Sequence, residues 1–454
     1  MKIINPATEE VIREIEQDNK ASIDAKLKAL RAGQKVWAKK SVRTRLKAIE
    51  AFGKLVIENK DELAQILTQE TGKPITQSRN EISGSLNRIS HLSKNAEKWL
   101  QPEEFGMEGD TLELLYHEPL GVIANISAWN FPYNVGYNVF LYALVAGNSV
   151  LYKPSEYATL TGLKFKELLH RAGVPENVFD IAIGSGEVGQ TLLESDLDGY
   201  FFTGSHKTGL HIAKNVAHKM VPVQLELGGK DPLYIMDDVG DVKKWAINAA
   251  EGAFYNAGQS CCAVERIYVH AKIYDEFVKY FVEEVKNYQI GNPEKADTFI
   301  GPVTREAQLE VILDQIEDAK KKGAEVILGG KGMDKPGYYM EPTVVTQTTH
   351  EMKIMMEESF GPIIGIQAVG SDEEAIRLML DTPYGLTASV FSEDEQRAKT
   401  VLDQMNVGTC YWNCCDRVSP NVPWSGRKNS GMGHTLSYMG IRAFTQPKAY
   451  HLRG

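Results

Sequence analysis

The pattern of apolar and polar residues changes after about residue 100. Between residues 22 and 98, apolar residues such as Ile23, Leu27 and Leu30 recur at steps of three and four positions among Lys, Glu and Arg. This spacing places apolar side chains on one face of a helix. The first hundred residues are therefore expected to be largely helical, with few strands.

After Gly109, short β-rich runs alternate with helical patterns. The predicted strands are residues 111–117, 121–126, 149–153, 178–183 and 221–225, with helices at 157–171 and 207–218. Such alternation is typical of βαβ units in a parallel sheet, and it predicts an α/β fold.

A second α/β series follows residue 228, with helices near 242–256, 273–288 and 306–322 and strands near 267–269 and 326–328. The chain has 454 residues, whereas single cores stop growing at about 250–300 residues. Two or three domains are expected. The polar ribbon 101–119 and the tail 442–452, with a possible strand at 449–452, fit neither series, so either is a candidate arm for pairing with another subunit.

Charge and composition exclude several classes of protein. The formal net charge is −10 and no long basic run interrupts it, so nucleic acid is not an expected partner. Five cysteines without disulfide spacing favour a reducing cytoplasm. The sequence contains no signal peptide pattern and no apolar run of about 18 residues, so no membrane association is expected. The histidines and cysteines lack metal-site spacing, and no metal is expected.

Two adjacent thiols, Cys261 and Cys262, follow Gly258 and Gln259 at the end of a predicted helix. Backbone N–H dipoles in such a place favour a thiolate nucleophile. The alternative for either residue is a small buried apolar side chain. The spacing does not decide which of the two thiols reacts.

Glu226 ends an apolar strand and is followed by two glycines. A carboxylate buried at this junction would have a raised pKa, which suits a general base near neutral pH. A structural Glu bound to the turn backbone is the alternative.

Three further segments follow predicted strands. Gly204 and Ser205 precede a helix whose free N–H groups can bind phosphate, although an ordinary capped turn fits equally. Lys153 and Glu156 stand at the carboxyl end of a strand, where doubly wound sheets bind ligands and a carboxylate can accept from ribose. Asn130 offers an amide donor for an oxyanion, or is a turn-forming residue.

Read in order, seven motifs resemble those of the NAD(P)-dependent aldehyde dehydrogenase superfamily over nearly the whole chain. They are Ala-Trp-Asn-Phe-Pro (128–132), Lys-Pro-Ser-Glu (153–156), Phe-Thr-Gly-Ser (202–205), Glu-Leu-Gly-Gly-Lys (226–230), Gly-Gln-Ser-Cys-Cys (258–262), Glu-Glu-Ser-Phe-Gly-Pro (357–362) and Lys-Asn-Ser-Gly-Met-Gly (428–433). The resemblance is to a short form without the N-terminal extension of longer members.

The resemblance implies a Rossmann-like cofactor domain (1–100 and 120–227), an α/β catalytic domain (228–425) and a small β oligomerisation arm (101–119 and 440–454). A homodimer or homotetramer is expected. It also implies that Cys261 is the nucleophile, that Asn130 and the backbone N–H of Cys261 form the oxyanion hole, and that Glu226 activates water to hydrolyse a thioester.

By the same resemblance, NAD is the expected cofactor. Glu156 favours it because a carboxylate repels a 2′-phosphate, while the neighbouring Lys153 leaves NADP possible. The implied cofactor contacts are Trp129, Lys153, Glu156, Gly186, Gly204, Ser205, Leu227, Glu358 and Phe360.

The expected substrate is an aliphatic or aromatic aldehyde of modest size. The implied pocket residues are Phe131, Val135, Asn138, Tyr255, Ser260, Val418 and Trp424. A succinate-semialdehyde-type dehydrogenase is an alternative, although its usual arginines are replaced here by Asn138 and Tyr255, which leaves Arg417 as a candidate anchor. A Cys-dependent esterase or thioesterase is another. The chain also has Val139 and Thr435 where many members carry a Lys and a second Glu, so a proton relay through those groups is not expected.

Overall fold

The computed structural model describes all 454 residues. Four helices occupy residues 20–99, as the apolar periodicity predicts. The α-helices are α1 (Lys20–Trp37), α2 (Val42–Glu58), α3 (Lys60–Thr71), α4 (Ile75–Trp99), α5 (Pro132–Ala146), α6 (Thr159–Arg171), α7 (Gly186–Glu194), α8 (His206–Val216), α9 (Val242–Phe254), α10 (Tyr274–Asn287), α11 (Glu306–Lys321), α12 (Lys353–Met356), α13 (Asp372–Leu380), α14 (Glu395–Leu402) and α15 (Ser437–Arg442).

The strands form two large sheets and three small ones. They are β1 (Lys2–Ile4), β2 (Val11–Glu14), β3 (Glu103–Glu108), β4 (Thr111–Pro119), β5 (Val122–Ile126), β6 (Ser149–Lys153), β7 (Phe179–Ile181), β8 (Tyr200–Gly204), β9 (Val223–Leu227), β10 (Pro232–Ile235), β11 (Arg266–His270), β12 (Glu325–Leu328), β13 (Thr343–Thr346), β14 (Ile363–Val369), β15 (Tyr384–Gly385), β16 (Thr387–Phe391), β17 (Thr409–Trp412), β18 (Arg427–Lys428), β19 (Gly431–Met432) and β20 (Thr445–Arg453).

The first large sheet has the order β19-β9-β8-β5-β6-β7, and all of its pairs are parallel except β19 with β9. The chain proceeds from β5 to β6 and β7 on one side, then crosses to β8 and β9 on the other. The strand order therefore reverses between β5 and β8. In doubly wound sheets, ligands bind at such a reversal, outside the carboxyl ends of the strands.

Period-two alternation fixes which face of this sheet each side chain covers. In β5, Ile123 packs into the core formed with α2–α6, while Val122, Ala124 and Ile126 pack into a second core on the opposite face. Helix α5 is mostly apolar, and all of its residues except the half-buried Asn134 are buried, which is typical of a helix enclosed by other elements.

The second large sheet has the order β12-β13-β14-β11-β10-β16-β17, parallel except for the edge strand β12. In β10, Leu233 and Ile235 enter one core while Tyr234 enters the core on the other face. The sequence correctly predicts α9, α10 and α11 to within two residues at each end. It also predicts β11 and β12, but it does not predict the remaining five strands of this sheet.

The polar ribbon and the C-terminal tail come together in a separate antiparallel sheet of order β20-β4-β3. Residues 445–453 pair with 111–119 along nine positions, so the strand predicted at 449–452 exists and is longer than expected. Several apolar side chains of this sheet are exposed, among them Phe105, Met107 and Leu452. Its pairing with another subunit stays a prediction, as do the domain boundaries. None of the helices has the length and apolar character needed to cross a membrane.

Candidate active site

A cavity of 620 Å³ joins segments that are far apart in the sequence. It brings together Cys261, Glu226 and Asn130, the three residues expected to carry the chemistry. Further predicted residues that line it are Trp129, Phe131, Val135, Asn138, Gly204, Ser205, Leu227, Tyr255, Ser260, Glu358, Phe360, Val418 and Trp424. Lys153, Glu156 and Gly186 do not line it.

The loop that carries Cys261 leaves α9 through a short 3₁₀ turn, Tyr255–Gly258. Asn256 and Ala257 adopt left-handed backbone conformations, with φ of 54° and 53°, which costs free energy for residues other than glycine. Gly258 also has a positive φ, and a Cβ there would lie 2.2 Å from the carbonyl oxygen of Gly361. The position therefore requires glycine.

A buried polar network fixes Asn130 against this loop. Lys73 Nζ and Asn256 Nδ2 donate to the carbonyl oxygen of Asn130 at 2.6 and 3.2 Å. The Asn130 Nδ2 donates to the carbonyl oxygen of Gln259 at 3.2 Å. Because an amide nitrogen carries two hydrogens, one donor remains for a ligand.

Lys73 owes its position to a buried ion pair with Glu81 of α4. Glu81 also accepts from the backbone N–H of Tyr133 at 2.9 Å. The sequence does not reveal this pair, because a Lys and a Glu eight positions apart in a polar stretch are usually solvated. Only the buried contact makes them part of the site.

The two thiols have different surroundings. Cys262 is buried and its thiol donates to Asp416 Oδ1 at 3.0 Å, as does the Ser260 hydroxyl at 2.9 Å. A hydrogen bond with Cys261, burial and the Asp416 charge together raise the pKa of Cys262 well above its usual range. Cys261 is only partly buried and faces the cavity. Cys262 is therefore held as a neutral thiol, a distinction that spacing could not supply.

Glu226 lies in β9 and is almost fully buried. Burial raises its pKa to about 7, although a hydrogen bond from Thr435, the charge of Arg88 and a hydrogen bond from Gln224 act in the opposite direction. The Thr435 hydroxyl and Gln224 Nε2 both donate to Oε1, the latter at 3.0 Å. The raised pKa expected for this carboxyl is confirmed, and Thr435, expected only as a departure from the family, contacts it directly.

Glu358 lies beside the glycines that follow β9. Its Oε1 accepts from the N–H of Gly229 at 3.2 Å, and a Cβ on Gly228 would lie 1.9 Å from the same oxygen. Burial and repulsion from Glu265 raise the pKa of Glu358 to about 8. Nearby, the rings of Phe360 and Trp129 meet edge to face, with centroids 5.6 Å apart. Carboxyl and aromatic groups thus share one wall of the cavity.

The first turn of α8 begins where β8 ends, at the reversal of strand order. Ser205 caps the helix by accepting from the N–H of Thr208 at 3.4 Å. The backbone N–H groups of His206 and Lys207 make no hydrogen bond within the chain. Such free donors at a helix N-terminus bind anions, phosphate included.

The three predicted cofactor residues outside the cavity lie elsewhere along the first large sheet. Lys153 ends β6 with its side chain buried, Glu156 begins a short 3₁₀ helix, and Gly186 begins α7. Burial lowers the pKa of Lys153, and the charge of Glu156 raises it. A Cβ on Gly186 would meet no atom within 4 Å, so this helix start is open.

The wall of the cavity also contains an arginine that the sequence did not indicate. Arg88 of α4 lines the cavity, and its Nε donates to Asn138 Oδ1 at 2.7 Å. Arg417, by contrast, is exposed and does not line the cavity. The expectation that Arg417 offers an anchor for an acid is therefore wrong. A helix with polar residues on several faces gave no signal that Arg88 points inward.

Comparison with known proteins extends over almost the entire chain. Residues 1–450 match the model of the aldehyde dehydrogenase family. A chloroplastic betaine aldehyde dehydrogenase of Amaranthus hypochondriacus is 35% identical, over 98% of this chain and 91% of its own length. The peroxisomal aminoaldehyde dehydrogenase 1 of Pisum sativum is 34% identical over the same shares.

A solved structure gives the same answer for the fold. The structure of betaine aldehyde dehydrogenase from Staphylococcus aureus in complex with NAD+ superposes with a TM-score of 0.96 at 32% identity, and the match covers 100% of this chain and 92% of the other. The α/β fold predicted from the sequence is confirmed. The chain belongs to the aldehyde dehydrogenase family.

Proposed function

We propose that this enzyme oxidises an aldehyde to a carboxylic acid with NAD, through a covalent thioester on Cys261. The observation that carries the proposal is the single cavity in which Cys261, Asn130 and Glu226 meet, with the free helix N-terminus of α8 in its wall. The cavity thereby combines a nucleophile, an oxyanion donor, a base and an anion site. It lies where the strand order of a doubly wound sheet reverses.

In the first step the Cys261 sulfur adds to the aldehyde carbon. The carbonyl oxygen becomes an oxyanion, which receives hydrogen bonds from the remaining Asn130 amide hydrogen and from the backbone N–H of Cys261. One such donor lowers the barrier by about 3–4 kcal/mol when it is already in place. The network of Lys73 and Asn256 around Asn130 supplies that preorganisation.

The residues present fit a dinucleotide. The free N–H groups of His206 and Lys207 suit a diphosphate, the Glu358 carboxyl suits ribose hydroxyls, and Trp129 with Phe360 offers an aromatic wall. When bound, NAD supplies the acceptor for the hydride that leaves the thiohemiacetal carbon. Glu156, which follows the carboxyl end of β6, favours NAD over NADP, because a carboxylate repels a 2′-phosphate.

The thioester is released by water that Glu226 deprotonates. With a pKa of about 7 this carboxyl takes up a proton readily near neutral pH. It has neither the second Glu nor the Lys found in many members, since Thr435 and Val139 stand there. Thr435 orients the carboxylate but offers no acidic group to pass the proton onward, so Glu226 works as the single base.

The substrate we propose is an aliphatic or aromatic aldehyde of modest size. The support is the lining of the cavity near Cys261, where Phe131, Val135, Tyr255, Val418 and Trp424 provide apolar and aromatic surface. Two relatives named above act on betaine aldehyde and on aminoaldehydes, so both belong in any substrate panel.

The test is NADH formation by wild type, Cys261→Ala and Cys262→Ala with a panel of aldehydes. Wild type is expected to produce NADH, Cys261→Ala to lose at least about 10⁴-fold in kcat/KM, and Cys262→Ala to stay within about tenfold. Ester cleavage without NADH formation would instead indicate a Cys-dependent hydrolase. A dead Cys262→Ala with an active Cys261→Ala would overturn the choice of nucleophile.

The β20-β4-β3 sheet is proposed to mediate assembly into a homodimer or homotetramer. Exposed apolar side chains such as Phe105 and Met107 on a free-standing sheet support this role. Light scattering of the purified protein is expected to show an oligomer, and the Phe105→Ser/Met107→Ser variant a lower mass. A monomeric wild type would contradict the proposal.

A further inference from the structure

Arg305 is a half-buried cation in the wall of the cavity. It immediately precedes α11, and its Nη2 donates to Gln308 Oε1 at 2.8 Å. The side chain makes no other hydrogen bond, so most of its N–H groups have no acceptor in the protein. No carboxylate oxygen lies within 4.0 Å of its nitrogens. Its Nε is buried without an acceptor, which costs free energy. The protein alone therefore leaves this guanidinium unsatisfied.

One side of Arg305 is linked to the segment that carries Glu358. Gln308, which accepts from the guanidinium, donates through Nε2 to the carbonyl oxygen of Ser359 at 2.6 Å. Ser359 stands directly between Glu358 and Phe360 in the sequence. The arginine is thus joined through one side chain to the wall that is proposed to meet the nicotinamide end of the cofactor.

The other side of Arg305 is close to the segment that carries Glu156. Tyr157 follows Glu156 directly, and its ring meets Trp129 edge to face with centroids 6.4 Å apart. Burial and the charge of Glu156 raise the pKa of Tyr157, whereas the charge of Arg305 acts in the opposite direction. Arg305 therefore lies between the segments that carry Glu156 and Glu358, the two carboxylates proposed to meet the riboses of NAD. In NAD, the diphosphate joins those two riboses.

Arg305 and Ser205 line the same cavity from two different cores. The helix that follows Arg305 packs through Ile312 into a core of the second large sheet. The elements on either side of Ser205 pack through Phe202 and Ile212 into a core of the first. A diphosphate bound at the free N–H groups of α8 would thus meet a cation supplied by the other sheet.

We propose that Arg305 forms an ion pair with the diphosphate of the cofactor, together with the N-terminus of α8. This rests on the proposed function and adds a cofactor-binding residue to the same site. The planar guanidinium matches pairs of phosphate oxygens, and such charged hydrogen bonds are about twice as strong as neutral ones. The other arginine of the cavity, Arg88, donates to Asn138 and acts through its charge on Glu226. It therefore belongs to the side where the thioester is hydrolysed.

The test is calorimetric binding of ADP-ribose and of adenosine to wild type and to Arg305→Met. The variant is expected to bind ADP-ribose, which contains the diphosphate, at least about tenfold more weakly. Adenosine has no phosphate, so its affinity should be the same for both proteins. Arg305→Lys keeps the charge and should recover part of the loss. Arg417→Met removes an exposed arginine outside the cavity and, as the matched control, should bind ADP-ribose like wild type.

A second variant, Arg305→Gln, separates the charge from the hydrogen bond. Its amide can still donate to Gln308, but it offers no charge to a phosphate. The proposal expects the same loss of ADP-ribose affinity as in Arg305→Met. Rising salt should also weaken ADP-ribose binding more steeply in wild type than in Arg305→Gln, because salt screens the ion pair. If Arg305→Gln binds ADP-ribose as tightly as wild type, the arginine serves only to hold Gln308 and the proposal is overturned.

The remaining outcomes separate this proposal from the proposed function. An equal loss of affinity for ADP-ribose and adenosine in Arg305→Met indicates a structural role and overturns the assignment. Binding of NAD and NADP is measured in parallel, and a loss confined to NADP overturns it too, since the arginine would then face the 2′-phosphate. In these cases the dehydrogenase stands if wild type forms NADH with an aldehyde. If wild type binds neither ADP-ribose nor NAD, the proposed function fails and the assignment of Arg305 fails with it.

Discussion

The half of the cavity around Ser205 and the half around Cys261 are built in different ways. Around Ser205 the residues lie at the ends of parallel strands, each held by its own strand and the helix that follows. Around Cys261 they come from α4, from a left-handed loop and from the C-terminal segment, and hydrogen bonds across these elements hold them in place. A substitution around Ser205 should therefore affect only its own contacts, whereas a substitution around Cys261 should also disturb the neighbouring elements of the network.

The largest effect that would test this contrast is expected from Lys73→Met. The substitution leaves Glu81 buried without a counterion and removes a donor from the Asn130 carbonyl. The free energy of unfolding should fall by about 3–5 kcal/mol, and kcat should fall as well. Urea unfolding and steady-state kinetics measure the two effects.

Two controls sharpen this prediction. The double variant Lys73→Met/Glu81→Gln should recover part of the stability, because no unpaired charge remains. Lys20→Met breaks only an exposed pair with Asp24 and should change stability by less than about 1 kcal/mol. Equal losses in Lys73→Met and Lys20→Met would show that the network contributes little.

A smaller and strictly local effect is expected from Glu156→Gln at the strand ends. Loss of the carboxylate removes a charged hydrogen-bond acceptor for the ribose, worth about 1.5 kcal/mol. The KM for NAD should rise about tenfold, while discrimination against NADP weakens. Stability and the KM for aldehyde should stay unchanged. A fall in stability together with a rise in the KM for aldehyde would mean that these strand ends are not independent of the rest of the site either.

The smallest effect concerns the pH dependence of thioester hydrolysis. Glu226 acts as a base only when deprotonated, so kcat should rise with pH through its pKa of about 7. Thr435→Val removes a hydrogen bond that favours the carboxylate, so the pKa should rise and the acidic limb should move to higher pH by about 0.5–1 unit.

Thr445→Val is the matched control for that shift. Thr445 is also buried in the C-terminal segment, but its hydroxyl donates to the backbone oxygen of Arg442, which does not line the cavity. Its pH profile should match that of wild type. If the acidic limb of the kcat profile in Thr435→Val stays at the wild-type pH, a group other than Glu226 determines the pH dependence.

The same contrast explains how far the sequence predicts the structure. Strand ends followed by glycine or serine are local signals, and they place Gly204 and Ser205 at the end of β8 and Glu226 near the end of β9. The resemblance adds Asn130 and selects Cys261. Arg88, Lys73 and Asp416 give no such signal, because their inward orientation depends on packing between elements that are distant in sequence.

Three of the five unpredicted strands of the second sheet, β10, β13 and β17, show the same limit. Strands such as β13 and β17 have four residues each. A run of that length does not establish a period of its own, so its strand character comes from the neighbours that it pairs with.

The short strand β19 determines when the active site can form during synthesis of the chain. It pairs Gly431 with Glu226, and the residues after it supply Thr435 together with Leu436 and Phe444 of the main core. Ribosomes make the chain from its N-terminus, so both reactive groups are translated well before the segment that completes their surroundings. A prematurely terminated chain ending before Gly431 thus carries the thiol and the carboxyl without being a partial enzyme.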